Sequence, residues 1–281
     1  MGGMEKHGEG FASRERRLRV AWALAAWFAA CVLTGSQLGI KGAEPAPEVS
    51  KWVEAVIRNQ RTTGLRARAK LSIEPRQGAE RSVQVLIKER RDGAVHETLV
   101  VSLWPREEKG RAWMLRRTAI GDIEGFRFTP PEEVTPISAA NLDERLFDSD
   151  LGVDDFAESF WEWTDVKAIG EEKIGSTVCR VVEFRTVLAG VRHPRVRAWL
   201  PKEKPVPLRV EKYDVQDVLS KRMSAGRVVH REDGGWSVAE WTVETVPAGS
   251  RTRVSGSRSD RDLVIPPEEF TVEGIRKLIQ P

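Results

Sequence analysis

Four carboxylates, Asp148, Asp150, Asp154 and Asp155, come nearest in this sequence to residues whose type and spacing suit chemistry. Paired carboxylates can divide acid and base roles, or they can hold a calcium ion. A calcium loop spreads its oxygens over about a dozen residues, with a glycine at the turn and a closing glutamate. That pattern is missing. The apolar residues that follow, Val153, Phe156, Ala157, Phe160 and Trp161, fall at i, i+3, i+4, i+7 and i+8. This spacing predicts a helix with Asp150 as its N-cap, and the acids then serve as caps and as favourable charges at the positive helix end. His7, His96, His193 and His230 stand apart, without a partner at metal-ligand spacing, and read as surface or strand-edge residues. No nucleophile elbow, phosphate-cradling glycine loop or paired-histidine zinc motif occurs. The two cysteines are Cys31, in an N-terminal apolar tract, and Cys179, in a strand-like run, so the latter is expected to be a buried structural thiol. The sequence therefore predicts no catalytic residues, no metal and no cofactor.

The chain has 281 residues and a formal charge of +3. Residues 1–43 hold six cations against three anions, which leaves 39 of each sign in 44–281. A near-neutral body argues against nucleic acid as a partner. The doublets Arg90-Arg91 and Arg116-Arg117 are interleaved with acids and read as solvated strand faces. At the N-terminus, Arg14, Arg16, Arg17 and Arg19 precede an uncharged apolar run from Val20 to Leu33. That is a signal peptide by its charge and length, short of the ~20 residues that a stable membrane span needs. The expected location is the periplasm, with an uncleaved anchor or lipidation at Cys31 as alternatives. Residues 1–43 are thus read as signal peptide and linker, and 44–281 as a single domain.

Within that domain, Val49, Trp52, Val53, Val56 and Ile57 repeat the helical spacing, with Ser50 as a possible cap. Ten strand-like segments follow: Leu65–Ile73, Ser82–Glu89, Glu97–Leu103, Arg111–Thr118, Cys179–Thr186, Arg195–Leu200, Leu208–Asp214, Ser220–Val229, Trp236–Val246 and Ser250–Arg258. Arg91-Asp92-Gly93 marks a hairpin turn, and Thr129 to Asp150 reads as a proline- and acid-rich connection. Strands this numerous, with one helix before them and one between, do not alternate as a parallel α/β sheet requires. They predict a mainly β protein with helices (α+β), its large antiparallel sheet curled into an open half-barrel with helices covering the concave side.

Three stretches carry a resemblance. Leu146-Phe147-Asp148-Ser149-Asp150-Leu151-Gly152-Val153-Asp154-Asp155-Phe156 is the first. The second is Arg197-Ala198-Trp199-Leu200 followed by Val206-Pro207-Leu208-Arg209-Val210-Glu211-Lys212-Tyr213-Asp214. The third runs from Arg251-Thr252-Arg253-Val254 through Ile265-Pro266-Pro267-Glu268-Glu269-Phe270-Thr271 to Leu278. In this order they resemble the bacterial outer-membrane lipoprotein-sorting (LolA-like) family over roughly residues 135–278. Val215-Gln216-Asp217 lacks the glycine that usually follows the Tyr-Asp pair, and Leu151 stands where an aromatic is common.

The resemblance implies an unclosed barrel whose apolar cavity accepts an acyl chain or a lipoprotein. A half-closed sheet either fills its apolar face with side chains or offers it to an apolar ligand. Phe156, Phe160, Trp161, Trp163, Trp199 and Trp241 are the expected cavity residues. Implied partners are a lipid or lipidated protein, and an inner-membrane transporter or outer-membrane acceptor. The implied function is a non-enzymatic periplasmic carrier, in lipoprotein sorting or lipid transport. The alternative is an envelope sensor of the same fold that reports lipids to a membrane partner.

Overall fold

A computed structural model describes residues 47–118, 123–157, 160–188 and 190–280. The expected signal peptide, its alternatives at Cys31, and His7 lie outside these residues.

Among the described residues, thirteen strands form one antiparallel sheet: β1 (Gly64–Glu74), β2 (Arg81–Asp92), β3 (Val95–Trp104), β4 (Ala112–Arg117), β5 (Ile123–Thr129), β6 (Glu133–Ile137), β7 (Asp165–Ile174), β8 (Thr177–Arg185), β9 (Arg195–Pro201), β10 (Arg209–Tyr213), β11 (Leu219–His230), β12 (Trp236–Thr245) and β13 (Ser250–Arg261). Their order is β6-β5-β4-β3-β2-β1-β13-β12-β11-β10-β9-β8-β7. The chain thus runs outward from β1 to one edge, β6, and reappears at the opposite edge, β7. It then returns strand by strand until β13 pairs with β1. The edge strands β6 and β7 are not paired with each other, so the sheet stays open.

This topology has one consequence for the site. The chain between β6 and β7 must cross the whole sheet to join its two edges, and its described residues, 138–157 and 160–164, cover one face. Strand alternation defines that inner face. Leu71, Val85, Val100, Trp113 and Val243 point into it from one half, and Val182, Phe184, Val196, Ala198 and Val210 from the other. Met223 packs against both groups. Helix α1 (Pro47–Gln60) lays Val49, Val53 and Val56 on the second half, as its spacing predicts. Ser50 sits inside its first turn rather than capping it.

The second predicted helix is shorter than its apolar spacing suggests. α2 spans only Val153–Ala157, and Phe160–Glu162 form a separate 3-10 turn. Asp150 does not cap α2. It is buried and accepts hydrogen bonds from the hydroxyls of Thr245, Ser250 and Thr252 at 2.6, 2.5 and 2.8 Å. This nest ties the crossing segment to the β12–β13 hairpin.

One helix lies on the other side. α3 (Val272–Ile279) and the turn Pro267–Phe270 pack Phe270 and Ile275 against Leu99, Val101, Met114 and Phe128, on the outer face. The two helices expected from their apolar spacing do cover the inner side, and α3 is a further, unforeseen helix on the outer one. The reason is the alternate residues of β3 and β4, which are apolar on both faces.

Candidate functional site

Between the crossing segment and the sheet lies an apolar pocket of about 170 Å³. Its walls are Leu71, Val85, Ile87, Val100, Val243 and Val254 from the sheet, with Leu146, Leu151 and Phe156 above. A wider cavity of about 400 Å³ adjoins it, and the two share Asp155, Phe156, Met223 and Trp241. The wider cavity opens at the rim where α1 ends and where β11 turns into β12. Phe160, Trp161 and Trp236 contribute aromatic wall, while Arg91, His96, Arg117, Arg231 and Arg261 contribute a basic mouth.

Four of the six expected cavity residues, Phe156, Phe160, Trp161 and Trp241, stand in these walls. Phe160 and Trp161 are held by edge-on contacts to buried Phe184, with ring centroids 5.2 and 5.3 Å away. Trp163 packs beside them, 6.4 Å from the Phe160 ring, and is not a wall residue of either cavity. Trp199 is on the outer face, because Val196, Ala198 and Leu200 on the same strand take the inner one. It packs with Cys179 and Val181, donates its indole N–H to Glu172 at 2.9 Å, and lies under the Arg209 guanidinium. Cys179 is fully buried there, and burial pushes its thiol pKa up.

The floor of the wider cavity is a buried ionic cluster. Lys212 Nζ lies 2.8 Å from Asp155 Oδ1, Lys221 Nζ lies 2.5 Å from Asp155 Oδ2, and both ammonium groups also approach Asp154. His193 Nδ1 is 3.0 Å from Asp154 Oδ2, and His193 Nε2 is 3.3 Å from Ser220 Oγ. A register shift opposite Lys212 and Tyr213 lets β11 present Ser220 and Lys221 to this cluster together. The two lysines and the His193 contact outweigh burial and hold the Asp154 carboxyl well below the usual carboxylate range. Burial, aided by the two ammonium groups, outweighs the pull of Asp154 and holds the His193 ring neutral, below its ordinary value. Gly152 is what lets Asp154 come so close, since a Cβ there would lie 2.3 Å from Asp154 Oδ1.

Asp154, His193 and Ser220 fall in the order of a hydrolase relay. Yet neither His193 nor Ser220 lines either cavity, and two lysines already neutralise the acid. The cluster cross-links the crossing segment to β10, β11 and the loop before β9. This corrects one expectation, since His193 is a core residue with a carboxylate partner; Asp154 and Asp155 do stand in the first turn of α2, as the helix-dipole reading has it, and are in addition ion-paired in the interior. The acids and their cations are 57 to 66 residues apart in sequence where the hydrogen bonds are made, so no local motif announces them.

The arginine doublets also part company. Arg90 and Arg116 turn to the outer face and hold buried Glu97 between them, at 2.7 and 2.6 Å. Arg91 and Arg117 turn to the inner face, in register with His96. The solvated-face reading missed both roles, because alternation along a strand sends neighbouring residues to opposite sides.

A family model described as "Uncharacterized protein" matches residues 94–277. No curated protein matches the chain. Among solved structures, a Vibrio parahaemolyticus domain named for outer membrane lipoprotein sorting is 17% identical, with a TM-score of 0.74, covering 82% of this chain and 98% of its own. A DUF1329 family protein from Desulfovibrio piger is 20% identical with a TM-score of 0.75, covering 83% and 100%. A LolA superfamily protein from Nitrosomonas europaea is 15% identical with a TM-score of 0.65, covering 80% and 98%. These likenesses are of fold.

Proposed function

The chain belongs to the family whose model spans residues 94–277 and has a LolA-like fold, and from that premise we propose that it is a non-enzymatic carrier of the bacterial envelope, shielding the acyl chain of a lipid or lipoprotein. The observation that carries this reading is the apolar pocket beneath Phe156 and Trp241, continuous with a wider cavity that opens at the rim. A filled barrel has no such space, and an apolar cavity of this kind is receptive to apolar ligands. The same wall supplies aromatic surface from Phe160, Trp161 and Trp236 for the part of a chain that leaves the pocket. On this reading the N-terminal tract is an export signal and the carrier works in the periplasm, where a transporter or an outer-membrane acceptor exchanges its cargo.

Native mass spectrometry of the full chain purified from its own compartment, with lipid extraction, tests this directly. A co-purifying lipid or acylated peptide is expected. A protein that stays free of ligand after incubation with phospholipid, fatty acid and acylated peptide overturns the reading. Cell fractionation with a periplasmic marker tests the location, and retention in the cytosol would refute it.

A further inference from the structure

The basic mouth of the cavity is unevenly satisfied. Arg117 binds Glu162 through both terminal nitrogens, at 2.6 and 3.0 Å, and Arg231 is taken up by Asp233 and by the carbonyls of Trp236 and Asn59. Three other groups on the same rim are not. Arg91 is exposed and has no ion pair among the described residues. His96 Nε2 is buried without a hydrogen-bond partner, its nearest carboxylate oxygen being Glu89 Oε2 at 3.7 Å. Arg261 spends only Nη2, on the Gln60 and Arg61 carbonyls at 2.8 and 3.1 Å. That contact caps the C-terminal end of α1 and leaves its other N–H groups without partners among the described residues. Arg91 and His96 face each other in register on β2 and β3, and Arg261 reaches the same face two strands away, across Leu65 and Glu89. Two strand spacings across and two residues along separate the Arg261 and Arg91 backbones by about 12 Å, with His96 one strand further, a gap that two arginine side chains can reach across to one anion.

We propose that the ligand is an amphiphile with an anionic head, a carboxylate or a phosphate, seated against Arg91, His96 and Arg261, with its acyl chain running past Trp241 into the apolar pocket. The inference rests on the carrier reading of the same cavity and adds the class of head group. Burial and the neighbouring Arg231 charge push the Arg261 guanidinium pKa down, against the opposing pull of Asp262, Asp233 and Glu89. Glu89 is the carboxylate in the wall at this end, and Glu162 stands within electrostatic reach of Arg91, Arg117 and His96. Charge-assisted and bidentate hydrogen bonds to carboxylate or phosphate are stronger than neutral ones and fade with salt.

Binding of twelve-carbon ligands to the full chain, followed by tryptophan fluorescence, tests this. Laurate, dodecyl phosphate, dodecanol and dodecyltrimethylammonium share a chain and differ in head. At least one anion is expected to bind about ten-fold more tightly than dodecanol at low salt, and the margin to shrink at high salt. The ratio of laurate to dodecyl phosphate then distinguishes a fatty acid from a phospholipid source. R91Q and R261Q are each expected to weaken the anions three- to ten-fold and to leave dodecanol unchanged. R91Q changes an exposed residue, so it reports even where R261Q disturbs the end of α1. Dodecanol binding as tightly as both anions overturns the head-group inference and leaves the carrier standing. No binding by any of the four overturns both.

Discussion

The carrier reading makes its sharpest demand at Val254. This residue on β13 faces Leu71 and Trp241 in register and lines the apolar pocket. A cavity of about 150 Å³ lined by aliphatic and aromatic side chains admits benzene, so a pocket of about 170 Å³ has room for a phenyl ring attached at position 254. Val254→Phe is therefore expected to fill the pocket rather than to overpack it. The melting temperature should hold or rise, because the substitution buries new apolar surface in existing space. Ligand binding should suffer. About six methylenes fit where the ring now sits, and each is worth about 0.8 kcal/mol on burial. If half of that gross ~5 kcal/mol is realised after ordering costs, affinity falls by nearly 100-fold. A chain-length series sharpens the test. In the wild type each added carbon, at the same half of its gross burial, should tighten binding about two-fold until the pocket is full, and in the variant that slope should vanish over the buried carbons. A folded Val254→Phe protein that binds acyl ligands as tightly as wild type refutes the assignment of this pocket.

Other perturbations probe the surroundings of the pocket. Gly152→Ala should cost at least ~2 kcal/mol in denaturant unfolding, since its methyl meets Asp154 Oδ1 inside a locked cluster; a variant within 0.5 kcal/mol of wild type, a figure typical of neutral surface changes, would mean that the cluster yields freely. Lys221→Met leaves buried carboxylates without one cation and should cost about 3–5 kcal/mol, read by the same titration, with no loss expected if the cluster is solvated. Between pH 7 and 5 stability should fall. The unfolded His193 ring takes up a proton near pH 6.5, whereas the folded ring is held neutral to lower pH, so the unfolded state binds more protons and the slope approaches ~1.4 kcal/mol per pH unit. H193Q should flatten that window, and an unchanged slope would place the titration elsewhere. Below it, a second loss follows as pH drops through the depressed range of Asp154 and Asp155. Trp199→Phe should lower stability by about 1 kcal/mol through loss of the indole bond to Glu172, while acyl binding stays intact; weakened binding would show that the outer face reports to the cavity.

Most of the architecture was legible because one face of each central strand is buried. Alternation at Leu71-Ser72-Ile73 or Val83-Gln84-Val85 is the mark of such a strand, and all ten expected strands are present. The three unforeseen ones are β5, β6 and β7. β6 carries Pro136, and β7 exposes most of its Lys- and Glu-rich length. Both are edge strands, where charge and proline blunt further pairing and erase the hydrophobic signal. β5 adjoins β6 and alternates Phe126 and Phe128 outward, toward α3, under a sequence that reads as a lead-in to the proline-rich connection. The short α2 has a similar cause. Its apolar spacing is real, but the segment is spanning a sheet, and Asp150 finds three hydroxyls on β12 and β13 instead of a helix end.

The site was legible in part for the same reason. Phe156, Phe160 and Trp161 are near one another in sequence because the crossing segment brings them over the sheet together. Trp199 failed because residue type says nothing about which side of a strand a side chain takes, and the deciding residues are its neighbours Ala198 and Leu200. The ionic floor was beyond local reading, since its acids and its cations meet only after the chain has gone from one sheet edge to the other and halfway back. That geometry joins stability to function. The crossing segment must lie against an apolar face to close the protein, yet a seamless fit would leave no pocket. Asp150 and the Asp154–Asp155 cluster pin it at polar points, and between those pins Leu146, Leu151 and Phe156 stand above the sheet without filling the space beneath. The hydrogen bonds and ion pairs hold the roof in place, so the apolar surface under it stays open to a ligand.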